Sequence, residues 1–280
     1  MAGFSVVSNL GALNAMNKLS KTQIGMSRTL ERLSSGLRIN GAKDDAAGLA
    51  IADALRADVA ALNQGVRNAN DGIGVINVTD SALGEISNLL QRAVTLASQA
   101  ASETSGADNS TSKGALNDEY TAILNEIDRI ASTVEFNGVN LLSAGGATVD
   151  VQIGMGNTAN DSLRITTTAV TAAGLGLNTA GTVLNLASSA QDELVALQSA
   201  IDTIASNRGD LGAVYNRLTN AIQVITVQAE NLKAAESQIS DADIAAEVVN
   251  LTKFQVLNQT GISALAQANI SSQSVLSLLG

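Results

Sequence analysis

Apolar residues recur at alternating steps of three and four residues in two long stretches of the chain. Between residues 59 and 97, ten of the 12 positions at these steps are apolar, and between residues 194 and 239, 12 of 14 are apolar. This spacing lines apolar side chains along one seam of a helix, as in coiled coils. The pattern therefore predicts two long helices, each of which needs a partner helix for its seam. The polar exceptions within the two seams are Asp80, Ser87, Arg208 and Glu236.

Weaker forms of the same pattern predict three further helices. They cover about 116–134, 16–37 and 244–279. Residues 254–280 carry no charged side chain, whereas a helix that faces water normally carries charges on its outer face. We therefore expect this uncharged end to be buried among copies of the same chain.

The middle of the chain has a different pattern. Apolar and polar residues alternate in 147–153 and again in 162–166, and the stretch between them contains two Gly and two Asn. Alternation in short runs separated by turn residues predicts a β-hairpin with a longer loop. The predicted fold class is mainly α, with long coiled-coil helices from both termini forming a discontinuous core and rod, and a small β-hairpin region in the middle.

Pairing of the N-terminal part with the C-terminal part predicts discontinuous domains. We expect a terminal coiled-coil core domain from 1–44 with 240–280, and a helical rod domain from 45–142 with 190–239. The β-hairpin and loop region would cover 143–189. Between the last two helices, Ser240-Asp241-Ala242-Asp243 predicts a helix N-cap with acidic residues in the first turn.

The residue types that the chain lacks exclude several classes of chemistry. It has no Cys, His, Trp or Pro, and its formal net charge is −10. Disulfides, thiolate or imidazole metal sites and Ser-His-Asp triads are therefore excluded, and the acidic balance argues against nucleic acid. Ser110–Lys113 has the S-x-x-K spacing of some acylating enzymes, but the other parts of such a site are missing, and we interpret it as a polar loop. We expect no enzyme, no metal site and no cofactor, and we expect no membrane insertion because no run of about 18 apolar residues occurs.

Long ordered motifs occur near both ends of the chain. They are ERLSSGLRIN at 31–40, AKDDAAGLAIA at 42–52, RNANDGI at 67–73, LAQAN at 265–269 and VLSLL at 275–279. In these motifs the chain resembles the bacterial flagellins, and the likeness covers about 1–142 and 190–280.

The resemblance implies a structural subunit that is secreted and polymerises into the extracellular bacterial flagellar filament for motility. It implies that the terminal segments form the inner tube of the filament, and that outer domains are absent because only some 45 residues separate the two similar halves. The implied partners are further copies of the chain, an export chaperone, the filament cap, hook-junction proteins, the flagellar type III export apparatus and, where they occur, sister flagellins. A hook–filament junction protein of the same superfamily is the alternative.

The resemblance also implies a subunit interface. It would combine the charged turn after the first helix with apolar positions of the two terminal helices. The residues are Leu30, Arg32, Leu33, Leu37, Arg38, Asn40, Lys43, Asp44, Asp45, Leu251, Ile262, Leu265, Leu276 and Leu279.

Two further contacts follow from the resemblance. Residues 90–99 are similar to the patch that an animal Toll-like receptor reads in many flagellins, but Val94 and Thr95 replace the usual second Arg and Glu, so we expect weak or no receptor activation. The matching positions are Leu90, Gln91, Arg92, Leu96 and Gln99. For the export chaperone we expect contacts with the apolar C-terminal residues Leu265, Ile270, Val275, Leu276 and Leu279.

Overall fold

The computed structural model describes residues 9–179 and 181–277, with side chains as far as Ser271. Five long helices dominate it, which confirms the predicted fold class. The helices are α1 (Leu10–Ser35), α2 (Ala46–Ala101), α3 (Thr111–Thr133), α4 (Ala187–Ser240) and α5 (Ile244–Ser277). The strands are β1 (Glu135–Phe136), β2 (Val139–Asn140), β3 (Ala147–Gln152) and β4 (Ser162–Thr167), and short 3-10 turns cover Glu103–Ser105 and Val183–Asn185.

The chain divides into two compact units. Unit 1 consists of Met1–Val59 with Glu230–Gly280, and unit 2 is Ala60–Ala229. Both divisions fall within long helices, α2 and α4, whereas the predicted domain boundaries lie at the ends of those helices. The hairpin region belongs to unit 2 together with the helices around it.

Unit 1 is built on the antiparallel packing of α1 against α5. The Asn9 side-chain amide donates to the carbonyl oxygen of Ala268 at 3.1 Å, and further along α1 the ring of Phe254 covers Gly25. A Cβ atom on Gly25 would lie 2.7 Å from that ring. A glycine at this point therefore allows the two helices to approach closely.

Unit 2 has a continuous apolar core formed by α3, the hairpin and the parts of α2 and α4 that lie within it. Strands β3 and β4 pair antiparallel, with Val151 opposite Leu163, as the alternation predicted. Where the hairpin crosses α2, a Cβ on Gly72 would lie 2.9 Å from Val151. At Gly72, helix α2 therefore packs closely against strand β3.

Two of the four polar exceptions in the predicted seams contact each other. The Arg208 guanidinium on α4 donates to the Asp80 carboxylate on α2 at 2.7 Å. Both side chains are about 43% exposed, so the pair lies at the edge of the seam. Hydrogen bonding to Asp80 raises the pKa of Arg208 above its usual value.

The interpretation of Ser110–Lys113 as a loop was wrong. Ser110 is the N-cap of α3 and its hydroxyl accepts a hydrogen bond from the Lys113 backbone N–H. The Lys113 side chain is buried, and its ammonium pairs with Asp108 at 2.7 Å. Asp108 in turn accepts from the backbone N–H of Ala187 at the start of α4. These residues therefore connect the start of α3 to the start of α4.

The sequence patterns also did not predict the small β1–β2 hairpin. Its turn is Asn137-Gly138, with both residues at positive φ. Asn-Gly is the preferred pair for a two-residue turn of this kind, so the signal was present in the sequence.

Candidate functional site

All six polar residues of the predicted interface lie in unit 1. Five of them lie in the connection between α1 and α2, which contacts the connection between α4 and α5. We call this contact the junction, and it comprises residues 36–45 and 240–243. The backbone N–H of Arg38 donates to Ser240 at 2.7 Å, and the backbone N–H of Ala242 donates to Gly36 at 2.9 Å. Gly36 has a φ of +72°, as the left-handed cap that ends α1. The two connections therefore form one short antiparallel bridge, with Leu37 opposite Asp241.

Arg38 closes the end of α4. Its guanidinium donates to the carbonyl oxygen of Ile239 at 2.6 Å. The last carbonyl groups of a helix have no partner within the helix, and a cation near them is favourable. The Arg38 side chain therefore stabilises the end of α4 within its own subunit.

The charged turn is held together by local bonds. The Lys43 ammonium lies 3.1 Å from the Glu31 carboxylate, and Asn40 donates its side-chain amide to the same carboxylate at 3.3 Å. Asp44 accepts from the Asn40 backbone N–H at 3.2 Å. Asp45 accepts from the backbone at the first turn of α2, from Gly48 at 2.9 Å. The side chains of this turn thus fix its shape and begin α2.

Asp243 begins α5 in the same way. Its carboxylate accepts from the backbone N–H groups of Ala245 at 2.9 Å and Ala246 at 3.1 Å. The predicted N-cap in 240–243 is therefore confirmed. Next to it, Arg32 on α1 reaches Glu247 on α5 at 3.2 Å, which ties the two helices together near the junction.

Glu236 is a buried carboxylate beside the junction that the interface prediction did not include. It pairs with Lys233 and with Arg56, both at 2.8 Å, and accepts from the Ser240 hydroxyl at 2.9 Å. The hydrogen bond from Lys233 is the largest influence on the pKa of Glu236 and lowers it. Burial acts in the opposite direction, but the hydrogen bonds from Ser240 and Arg56 lower the pKa further, to about 2. The signal for this residue was its position as a polar exception in an apolar seam.

The apolar members of the predicted interface lie along the α1–α5 pair. Leu30 and Ile262 are about half exposed, and Leu33, Leu37, Leu251 and Leu265 are partly buried. Leu276 lies in α5 beyond the described side chains, and Leu279 lies outside the described residues.

Both terminal helices expose further large apolar side chains. The most exposed are Leu10 at 66%, Val249 at 67% and Val256 at 58%. The other such residues on these two helices are Leu13, Met16, Ile24, Ile244, Val248, Leu257 and Ile270. The packing of α1 on α5 therefore leaves an extended apolar surface uncovered.

The predicted receptor patch lies on α2 in unit 2. Leu90 and Leu96 are buried in the core of that unit, whereas Gln91, Arg92 and Gln99 are exposed. Arg92 pairs with Glu119 of α3 at 2.7 Å. The structure thus brings only the three polar members of the patch to the surface.

Of the predicted chaperone contacts, Leu265 is partly buried and Ile270 is exposed. Val275 and Leu276 lie in α5 beyond the described side chains, and Leu279 lies outside the described residues. No helix in the described part of the chain is long and apolar enough to cross a membrane.

The sequence analysis also did not predict a second buried carboxylate, which lies in unit 2. The buried Glu193 on α4 accepts from the Tyr120 hydroxyl on α3 and from the backbone N–H of Asn178 at 3.2 Å. Burial and the hydrogen bond to Glu193 raise the pKa of Tyr120. Like the junction, this cluster connects segments of the chain and fixes their positions.

Comparison with known proteins gives matches along almost the whole chain. Residues 6–147 match the family described as the bacterial flagellin N-terminal helical region, and residues 194–279 match the bacterial flagellin C-terminal helical region. A relative named flagellar filament 33 kDa core protein, from Treponema phagedenis, is 39% identical and the match covers 97% of this chain and 98% of the relative. Flagellins of Halalkalibacterium halodurans and Bacillus subtilis are 38% and 37% identical, with the same shares covered. The crystal structure of Bacillus cereus flagellin is 32% identical with a TM-score of 0.48, covering 61% of this chain and 94% of that one. The chain belongs to the bacterial flagellin family.

Proposed function

We propose that this protein is a structural subunit that is exported from the cell and polymerises with copies of itself into the extracellular filament of the flagellum, for motility. The observation that carries the proposal is the uncovered apolar surface on α1 and α5. The name of the Treponema phagedenis relative, a flagellar filament core protein, supports the same role. No observation favours the hook–filament junction protein, the alternative left open by the sequence.

The uncovered surface is typical of a helix pair that is completed by other chains. Val249, Val256 and Ile262 are each more than half exposed on α5. Fully burying one such side chain contributes about 1.5–3 kcal/mol, so contacts with several neighbours can offset the loss of freedom on association. When such a contact joins different patches and does not close into a ring, copies add into a helical filament.

The junction has a supporting part in this proposal. Its bonds connect Arg38 and Lys43 to other residues of their own subunit. These side chains would therefore support the predicted interface indirectly. They hold the α1–α5 pair in the geometry in which its apolar surface contacts the next copy. This is a structural role, and we assign the chain no catalysis.

Export and assembly require further partners. We infer that the chain binds an export chaperone, the flagellar type III export apparatus, the filament cap, hook-junction proteins and, where they occur, sister flagellins. The chaperone would hold the uncharged C-terminal part of α5, where Ile270 is 57% exposed. An animal Toll-like receptor would respond weakly or not at all, because Leu90 and Leu96 are buried and no charge stands at Val94 and Thr95. A reporter-cell response as strong as that to an enteric flagellin would contradict this expectation.

Sedimentation and negative-stain microscopy of the purified chain test the proposal. The full chain should form long filaments, and a chain truncated after Lys253 should stay soluble, because it loses the uncharged C-terminal part of α5. A milder variant, Val249→Gln with Val256→Gln, should assemble poorly while keeping its helix content by circular dichroism. The matched control, Asn250→Gln with Gln255→Asn, changes exposed polar positions of the same helix and should assemble normally. Absence of filaments from the seeded full chain, or equal assembly of all variants, would contradict the proposal.

A further inference from the structure

Asparagine followed by glycine is the pair whose side chain reacts most readily with its own backbone. Because glycine has no Cβ atom, its backbone nitrogen can reach the side-chain amide of the asparagine before it. The chain contains this pair twice, at Asn40-Gly41 and at Asn137-Gly138. The Asn40 amide is bonded to Glu31, whereas Asn137 lies in the turn of the β1–β2 hairpin. The two pairs therefore differ in how firmly the asparagine is held.

The groups that would react at Asn137 have no other bonds. Asn137 and Gly138 are exposed and have φ angles of +49° and +77°. In the part of the chain that the structure describes, neither the Asn137 side chain nor the backbone N–H of Gly138 forms a hydrogen bond. The hairpin is only two residue pairs long, and so short a hairpin is stable only through its neighbours. Rotation of the turn towards a reactive geometry therefore breaks few bonds.

Asn109 provides a contrast within the same unit. It is exposed and has a φ of +57°, so its backbone resembles that of Asn137. The next residue, Ser110, has a side chain, and its backbone N–H donates to the carbonyl oxygen of Ala107 at 3.0 Å. The backbone N–H of Asn109 donates to Asn185 at 2.9 Å. The nitrogen that would attack Asn109 is therefore both shielded and bonded.

We propose that Asn137 is a site of covalent modification, at which the side-chain amide is lost by attack of the Gly138 backbone nitrogen. This nitrogen forms a bond to the side-chain carbonyl carbon of Asn137 and gives up its proton, and the amide nitrogen leaves as ammonia. Water then opens the cyclic imide at one of its two carbonyl groups, which gives aspartate or isoaspartate. The reaction needs solvent water and no enzyme, and it does not depend on filament formation.

Isoaspartate changes the path of the main chain at the turn. The main chain then contains one more methylene group, and a two-residue turn of this kind can no longer hold Phe136 opposite Val139. Phe136 packs against the apolar core of unit 2. The modification therefore loosens the β1–β2 hairpin and its contact with the core.

Both products also add a negative charge at an acidic place. Asn137 lines a groove of about 370 Å³ together with Asp71 and Asp150, and no basic residue is among the described residues that line it. Arg164 pairs with Asp150 at 2.8 Å, whereas Asp71 forms no ion pair within the described part of the chain. A further carboxylate beside them is repelled, which favours displacement of the modified turn.

Incubation of the purified full chain at mildly alkaline pH, followed by peptide mapping with mass spectrometry, tests the inference. The peptide with Asn137 should gain the mass of deamidation and separate into aspartate and isoaspartate forms, and the peptide with Asn109 should do so several-fold more slowly. An isoaspartyl methyltransferase with labelled S-adenosylmethionine should label the first peptide. The same chain unfolded in urea sets the time over which a free asparagine reacts. Equal rates at Asn109 and Asn137, or no reaction at Asn137 within that time, would overturn the inference.

Asn137→Gly is the matched variant, because glycine accepts a positive φ and Gly-Gly suits the same turn. It should keep its helix content by circular dichroism, and its peptide at position 137 should carry no label. Hydrogen exchange then measures the consequence. The backbone amides of Phe136 and Val139 should exchange several-fold faster after incubation of the unchanged chain, and at their original rate after incubation of Asn137→Gly. Equal acceleration in both chains would contradict the inference, because the loosening would then have another cause.

Discussion

Gly65 of α2 lies against Ile153, where strand β3 ends and the loop of the β3–β4 hairpin begins. Replacing Gly65 with alanine tests how closely the hairpin packs on α2. The new Cβ would lie 3.1 Å from the carbonyl carbon of Ile153 and closer still to its oxygen. Real Cβ atoms essentially never approach a carbonyl oxygen so closely, and the backbone at Ile153 is held by its bond to Asp161 at 2.8 Å. The hairpin must therefore move away from α2.

The size of the effect follows from two opposed contributions. Alanine is favoured over glycine inside a helix by about 0.8–1.0 kcal/mol, whereas an added methyl group in a packed site costs about 1–3 kcal/mol. We expect Gly65→Ala to lower the free energy of unfolding by about 1 kcal/mol. Gly84, in the interior of the same helix, has open space within 4 Å of its Cβ position, so Gly84→Ala should raise the free energy of unfolding by up to about 1 kcal/mol.

Urea unfolding of the monomer, followed by circular dichroism, measures both changes. Hydrogen exchange at Val151 and Leu163 adds a local readout, because a displaced hairpin should exchange faster in Gly65→Ala and remain protected in Gly84→Ala. If the two variants are stabilised equally, the close contact between α2 and Ile153 does not exist and the reasoning is refuted.

Three further predictions concern ionised groups. The pKa of Glu236 is lowered to about 2, so its stabilising contribution is complete above the unfolded value near pH 4.5 and is lost as the pH falls towards 2. Because its cation partners are largely exposed, Glu236→Gln should lower the free energy of unfolding near pH 7 by about 1–3 kcal/mol. Acid titration of both chains measures this, and stabilities that fell in parallel would contradict it. Asp80→Asn should lower the free energy of unfolding by less than about 1 kcal/mol, because the pair with Arg208 is nearly half exposed. Exchanging the two charges, by Asp80→Arg with Arg208→Asp, should recover most of this loss. No recovery in a double-mutant cycle would mean that the two residues are not coupled. Asp243→Ala removes the N-cap of α5 and should lower the free energy of unfolding by about 1 kcal/mol. The urea midpoint should then fall while the slope of the transition stays the same. An unchanged midpoint would argue against the cap.

Spacing alone predicted the long helices and the β3–β4 hairpin, because each of these elements buries one side and repeats its apolar residues at a characteristic interval. The polar exceptions in the seams carried more information than we drew from them. Asp80 and Arg208 contact each other, and Glu236 pairs with two cations and accepts a hydrogen bond from a hydroxyl. A charge within an apolar seam indicates a partner, but the spacing within one helix cannot identify the partner on another.

The parts that sequence patterns could not give depend on contacts between distant segments. Burial of Lys113 follows from its pairing with Asp108, which also receives a hydrogen bond from Ala187. Leu90 and Leu96 were grouped with their exposed neighbours because a motif matched, although the helical interval turns them into the core. A match to the receptor-patch motif is therefore a poor guide to which of its side chains reach the surface.

The central claim is that copies of the chain cover the apolar surface of α5, and the absence of cysteine allows a direct measurement. Ile262→Cys and Glu103→Cys each place a single thiol at an exposed position, the second on the short turn after α2. Both should react with a maleimide at similar rates in the monomer. In assembled filaments the thiol at position 262 should become protected at least tenfold while the thiol at position 103 stays reactive. A thiol at position 262 that reacts equally fast in monomer and filament would contradict the account.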